Sequence, residues 1–228
     1  MLIVYFRHTF FKKPPDLKER YIKGKRHYED PKGRLLPSVT TVLSNMSKDG
    51  IEAWKRRVGE AEAKKVFDFA GKTGTEMHSI CENYLNNKPL EYKDKHPRAY
   101  TLFKQLKPEL NKINNIIAQE VQLYSDVLGV AGRVDCVAEY EKVPSVIDFK
   151  SSRKKKPKSY IKSYQLQATC YALMFEELTK KKIEQIVILI SADDESVVPF
   201  VFNKEEFIEP LKNVIEDYQL RHDFEVPN

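Results

Sequence analysis

Three charged residues, Asp135, Asp148 and Lys150, lie inside runs that otherwise read as sheet interior, Val134-Asp135-Cys136-Val137 and Val146-Ile147-Asp148-Phe149-Lys150. Charge buried in such runs is costly unless something compensates it. In a strand, side chains two apart share a face. Val146, Asp148 and Lys150 therefore fall on one face, with Ile147 and Phe149 on the other, and Arg133, Asp135 and Val137 are expected to share a face of the preceding strand. If the two strands are antiparallel neighbours, Asp135 comes close to Asp148, and two carboxylates at close range repel. A divalent cation between them relieves the repulsion, and hard oxygen ligands suit Mg²⁺ or Mn²⁺. Such an ion would polarise a phosphate oxygen and acidify a bound water. Lys150 beside it would orient or deprotonate the attacking water, or balance developing charge. Taken alone, the Asp-x-Lys triplet reads sooner as a strand-end ion pair, with Asp135 capping a turn.

Other residues widen the set. On the segment GTEMHSICENYL, His78 and Glu82 are four apart and share a helix face. His78 sits at the margin of the apolar stripe made by Met77, Cys81 and Tyr84. On YQLQATCYALMFEEL, Gln167 and Tyr171 are also four apart, and such a pair can donate to a phosphate or a base. Gln165 is a rival for Gln167 but lacks the four-residue step. Glu120, in the strand before Gly132, either supports the site or serves as a surface residue. The run Arg153, Lys154, Lys155, Lys156, Pro157, Lys158 directly follows the Asp-x-Lys strand.

These residues need a scaffold. Leu2–Phe6 reads as a strand, and RHYEDPKGRLL as a hairpin around Pro31-Lys32-Gly33. Ser38 is placed to cap a short helix to about Met46. A second helix carries Ile51, Trp54, Val58 and Ala61 to about Gly71, and a third runs from Gly74 to about Asn86. A fourth lies around Tyr100–Leu106. Three strands follow, Ile116–Tyr124, Val130–Tyr140 and Ser145–Phe149. Next come a helix over Ser159–Leu178, a hairpin of Ile183–Ser191 and Val197–Phe202 turning at Asp193-Asp194-Glu195, and a last helix broken at Pro210. The expected class is α/β: a mixed sheet flanked by helices, with a helical elaboration in front. The 228 residues suit one compact domain. Within it, residues 1–110 form the N-terminal hairpin and helical elaboration that contributes His78, and residues 111–228 form the core.

Composition sets bounds. The net charge is +6 and the basic residues cluster, which favours a polyanionic partner, most simply nucleic acid. Acidic residues are also plentiful, so charge alone decides little. No apolar run exceeds six residues, Ile186–Ile190 among them, which is too short for a bilayer, so no membrane association is expected. Three scattered cysteines cannot hold an iron–sulfur cluster or a metal finger and read as reduced core thiols. The opening MLIVYF is too brief for a secretory core. The expected location is cytoplasmic, in a phage or bacterial cytosol, with the mitochondrial matrix as the alternative.

The ordered set Gly74-x-x-x-His78, Gly132-Arg133-Val134-Asp135, Asp148-Phe149-Lys150 and Gln167-x-x-x-Tyr171 resembles the RecB-type branch of the PD-(D/E)XK nucleases, whose core is restriction-endonuclease-like. The segments LPSVTTVL, WKRR and GRVDCVAEYEKVPSVIDFKSS are similar to the exonuclease group of mitochondrial genome maintenance and to phage exonucleases. The resemblance covers about Leu36 to Leu178. It implies His78, Asp135 and Asp148 as metal ligands with the Phe149 carbonyl as a further one, Lys150 as the catalytic lysine, and Gln167 and Tyr171 as nucleic-acid contacts. Glu82, Glu120 and Arg133 are the expected supporting residues. The implied activity is a Mg²⁺- or Mn²⁺-dependent DNA exonuclease favouring single strands or free ends. The alternatives are a structure-selective endonuclease at the same site and a non-catalytic nucleic-acid-binding module. Trp54, Lys55, Arg56 and Arg57 lie on helices that could cover the cleft. Trp54 could stack on a base or belong to the core. Protein partners are not specified by the sequence.

Overall fold

The computed structural model describes residues 4–89 and 96–222. Near the N-terminus, β1 (Lys18–Ile22), β2 (Lys25–Glu29) and β3 (Leu35–Pro37) form a small antiparallel sheet. Lys23 and Gly24 both take positive φ in the β1–β2 turn, the backbone that matches strand twist in a two-residue hairpin. The β2–β3 hairpin lies where the sequence places it. Asp30 fixes its turn by accepting from the backbone N–H groups of Lys32 (2.9 Å) and Arg34 (2.8 Å). The expected strand Leu2–Phe6 differs: Leu2 and Ile3 lie outside the described residues, and Val4–Phe6 do not belong to a strand. The Phe6 backbone N–H and carbonyl are taken instead by the Asn87 side chain, at 2.9 and 2.8 Å.

Ser38 caps α1 (Val39–Ser44), its Oγ accepting from the Thr41 N–H at 3.0 Å. Then come α2 (Lys48–Val58), α3 (Glu60–Leu85) and α4 (Pro97–Leu110). The break between helices falls at Gly59, with φ 85° and ψ 149°, and not between Gly71 and Gly74 as expected. Each glycine inside a helix costs about 1 kcal/mol. The stripe of Thr73, Met77, Ile80, Cys81 and Leu85 is buried, and that packing carries the helix through both. α4 is longer than Tyr100–Leu106, because Pro97 suits a first helical turn and the His96 ring accepts from the Arg98 N–H at 3.2 Å.

The main sheet has the order β4 (Ile113–Ser125), β5 (Val130–Tyr140), β6 (Val143–Ser152), β7 (Gln185–Ala192), β8 (Val197–Asn203). Neighbours are antiparallel except β6 and β7, which are parallel and joined through α5 (Lys162–Thr179). It is a mixed five-stranded sheet flanked by helices. α6 (Ile208–His222) closes the chain, and it is not broken at Pro210. A 3₁₀ turn over Lys204–Phe207 precedes it, so Pro210 falls in the first turn, where its missing N–H has no intrahelical partner to lose.

The sheet separates two cores. On one face Val146, Ile186 and Ile188 pack against α1, α5 and α6; on the other Ile147, Phe149, Val187 and Leu189 pack against α3 and α4. Asp148 and Lys150 thus belong to the α5 side, as the period of two requires. On β5 the alternation slips. Val134 and Val137, three apart, both face the α5 core, so Arg133, Asp135 and Val137 do not share a face as expected. All three cysteines are free and buried. Among the described residues no helix is long and apolar enough to cross a membrane.

Gly132 sits under the Tyr171 ring, where an added Cβ would lie 2.7 Å from Cε1. Gly132→Ala is therefore expected to destabilise the fold by about 1–3 kcal/mol through overpacking, read as a lower urea midpoint. Tyr171→Leu in the same chain should recover part of that loss, and additive losses in the double variant would refute the contact.

Candidate active site

β5 and β6 run antiparallel up to the pair Cys136–Ile147, and one step further stand Asp135 and Asp148. Beyond that step Asp135 turns its Oδ2 to accept the Phe149 N–H at 2.8 Å. On the other side of β5, the pairs Gln119–Cys136 and Val121–Val134 place Glu120 opposite Asp135. Glu120 has φ 50°, and it lies between Ala118 and Val121, which both face the α5 core. This is where the alternation slips. Three carboxylates on three consecutive strands are thereby brought together where the β5–β6 ladder ends.

α3 supplies the fourth group. The His78 Nε2–H donates to the Phe149 carbonyl at 2.8 Å. That bond leaves Nδ1 facing Asp135 Oδ1 at 3.5 Å and Glu120 Oε1 at 3.9 Å. Burial opposes charge on His78, but the Asp135 carboxylate, with help from Glu120, outweighs it and lifts the imidazole pKa to about 10. Burial likewise opposes ionisation of Asp135, yet His78 and Lys150 hold its pKa below the ordinary value. Asp148, 1% exposed, is pushed up by burial and by Asp135, against the pull of Lys150. Lys150 resists burial because Asp148 and Asp135 keep it charged. An ammonium can orient water or balance negative charge, and it cannot act as a base in this state.

The donor set fits a hard or borderline divalent cation. The ligating atoms of His78, Glu120 and Asp135 lie within 4.8 Å of one another. Asp148 is not in that trio, since its carboxylate faces Lys150. Nζ lies 2.6 Å from each oxygen, but only Oδ1 has hydrogen-bond geometry, and Oδ2 is buried with no hydrogen bond. The Lys150 ammonium balances that oxygen's charge, and its lone pairs remain open to a cation. The Phe149 carbonyl is already engaged by His78. Glu120, expected only as a supporting residue, stands among the ligand-capable groups themselves. Its signal was its place across the strand pair from Asp135.

Glu82 and Arg133 line the mouth. With Gly74, Thr75, His78, Ser79 and Glu120 they bound an open cleft of about 540 Å³. Arg133 also reaches Glu19 of β1 at 3.3 Å. Gln167 is half-buried and donates to the Tyr171 hydroxyl at 3.2 Å, while Tyr171 is 2% exposed beneath Gly132. Arg153, Lys154, Lys155 and Lys158 are exposed, and Lys156 is half-buried. Trp54 is half-buried, edge-to-face with Phe67 at 5.4 Å.

Residues 52–223 match the family model of the PD-(D/E)XK nuclease superfamily. The chain belongs to that superfamily. Among curated relatives of this nuclease, it is similar to mitochondrial genome maintenance exonuclease 1 of Homo sapiens, 30% identical over 132 residues, which cover 54% of this chain and 38% of that protein. The Mus musculus counterpart is 29% identical over 131 residues, with the same coverage. The matched region thus spans well under half the length of these relatives. Among solved structures, SSO0001 is 16% identical with a TM-score of 0.39, covering 75% of this chain and 70% of that one. Superfamily members use divalent metals, in keeping with the His78, Glu120 and Asp135 group.

His78 holds a proton between its carboxylates and must shed it to offer Nδ1 to a cation. Its raised pKa means the proton is still bound at neutral pH and leaves on the way to about 10. Mn²⁺ binding is therefore expected to release about one proton near pH 7.5 and to tighten as pH rises from 6 to 9. Calorimetry in two buffers of different ionisation enthalpy checks this. Identical heats would contradict it, and His78→Ala should abolish the difference.

Proposed function

We propose that this nuclease is a metal-dependent DNA exonuclease that prefers single strands or free ends. The observation that carries the reading is the convergence of His78, Glu120, Asp135, Asp148 and Lys150 where the β5–β6 ladder ends, beside an open cleft. His78, Glu120 and Asp135 are the residues to hold Mg²⁺ or Mn²⁺, with Asp148 Oδ2 the next available oxygen. When bound, the ion supplies Lewis-acid polarisation of a phosphate and acidification of water. Asp148 restrains Lys150, and Lys150 in turn presents its charge where the substrate's non-bridging oxygens gather negative charge. His78, tied to the Phe149 carbonyl, keeps α3 in register with the end of β6.

The preference for thin substrates draws support from α2 and the first half of α3. α2 contributes no residue to either core, and along residues 60–72 of α3 only Ala63 is buried. The second half of α3 is a wall of the cleft. The same helix therefore lines the site and projects beyond it, next to Lys55, Arg56 and Arg57. A projecting basic pair of helices beside a cleft suits one strand better than a duplex.

Digestion of end-labelled linear single strands, circular single strands, blunt duplex and flapped duplex tests the reading. With Mn²⁺ or Mg²⁺, linear single strands should be cut fastest and circles left intact; equal rates on all four would refute the preference. Chelator should stop the reaction. Lys150→Ala should lower the rate by about 100-fold or more, and Asp148→Ala should abolish cleavage while DNA binding persists through the basic residues. A loss of folded protein in Asp148→Ala would make that residue structural.

A further inference from the structure

The link from β6 to α5 leaves the sheet two residues after Lys150. One of its lysines and Lys150 of β6 converge on one ring. The Lys150 ammonium lies over Tyr164, 5.2 Å from the ring centroid, a favourable cation–π distance. From the link, Lys156 donates to the Tyr164 hydroxyl at 2.7 Å. Tyr164, on the first turn of α5, is thus shared between the lysine of the reacting centre and a lysine of the basic run. Lys150 has Asp148 as its counter-ion. The described partner of Lys156 is a neutral phenol, so its charge is left to attract an anion.

The same link presents an aromatic side chain to water. Tyr160 is 76% exposed. It is not on a loose loop: Pro157 leads into a 3₁₀ turn over Lys158–Tyr160, closed by the Tyr160 N–H bonding the Pro157 carbonyl at 3.0 Å. An exposed aromatic on a short, hydrogen-bonded turn, four residues before Tyr164, spends little entropy when a flat partner lands on it. Cationic side chains interleaved with aromatic faces are the chemistry that holds single strands, because every unpaired base has a π-face.

We propose that Lys156, Tyr160 and Tyr164 form a nucleotide subsite beside the reacting centre: Tyr160 stacks on an unpaired base, Lys156 takes the neighbouring phosphate, and Tyr164 ties Lys156 to Lys150. This rests on the nuclease reading above and narrows its substrate to strands whose bases are free to stack. In a duplex those faces are covered by neighbouring pairs, so only the phosphate contact remains.

The test compares steady-state cleavage, with Mn²⁺, of a linear single strand and of a matched strand carrying an abasic tract. Tyr160→Ala should raise KM on the normal strand by about 10-fold with kcat little changed, and should change nothing on the abasic strand. Tyr160→Phe should behave as wild type, since the ring is kept. Lys156→Ala should raise KM on both strands and reduce the salt slope of log KM by about 0.7. Tyr160→Ala acting like wild type on the normal strand, or losing equally on both, overturns the subsite alone. Wild-type protein that neither binds nor cuts single strands removes the nuclease reading and the subsite together. Melting curves of the exposed Tyr160 variants should overlay the wild type, and a loss explained by unfolding would move both strands equally.

Discussion

Burying two carboxylates on neighbouring strands, just past the last pair of their ladder, is the constraint to which the rest of the molecule answers. Asp135 and Asp148 stand on the neighbouring strands β5 and β6, Asp135 turned to His78 and Asp148 to Lys150, and neither has water enough to dissipate its charge. Each is given a cation from a different part of the fold, His78 from α3 and Lys150 from the end of β6. Glu120 adds a third negative group. Three carboxylates against two cationic partners leave one negative charge, and release of the His78 proton leaves two. The centre is balanced well enough to fold and is still short of positive charge.

That balance explains why both layers of helices are needed. The α5 side receives Asp148 and Lys150 from the sheet, while α3 reaches the same strand end from the opposite face. The hydrogen bond from His78 to the Phe149 carbonyl joins the two. Parallel pairing of β6 with β7 requires a crossover, and α5 is that crossover, which carries Tyr164 to Lys150 and Tyr171, with Gln167 on its hydroxyl, to Gly132 of β5. Close seating of Tyr171 on Gly132 then fixes how near α5 approaches β5.

Strict periodicity made part of this legible in sequence. The faces of β6, the order of strands and helices after residue 110, and the cap at Ser38 follow from alternation and local chemistry. β1 was not visible because KERYI is charged and exposed, held by its neighbour β2 and not by burial. The helix break was misplaced because Gly59, with positive φ, outweighs two glycines that tertiary packing keeps helical. Pro210 was misjudged because the helix start, and not the proline, sets whether a missing N–H matters. The faces taken by Arg133 and Glu120 depend on a slip in the β4–β5 alternation, a backbone irregularity that strict period-two reading does not anticipate.

Glu120 itself carries a cost that its neighbours do not. A left-handed backbone suits glycine and strains a long side chain. A sequence optimised purely for durability would place glycine there and lose an oxygen from the centre. At this position, then, robustness and chemistry pull in opposite directions, and a chain that had abandoned its activity would be free to drift toward the smaller residue.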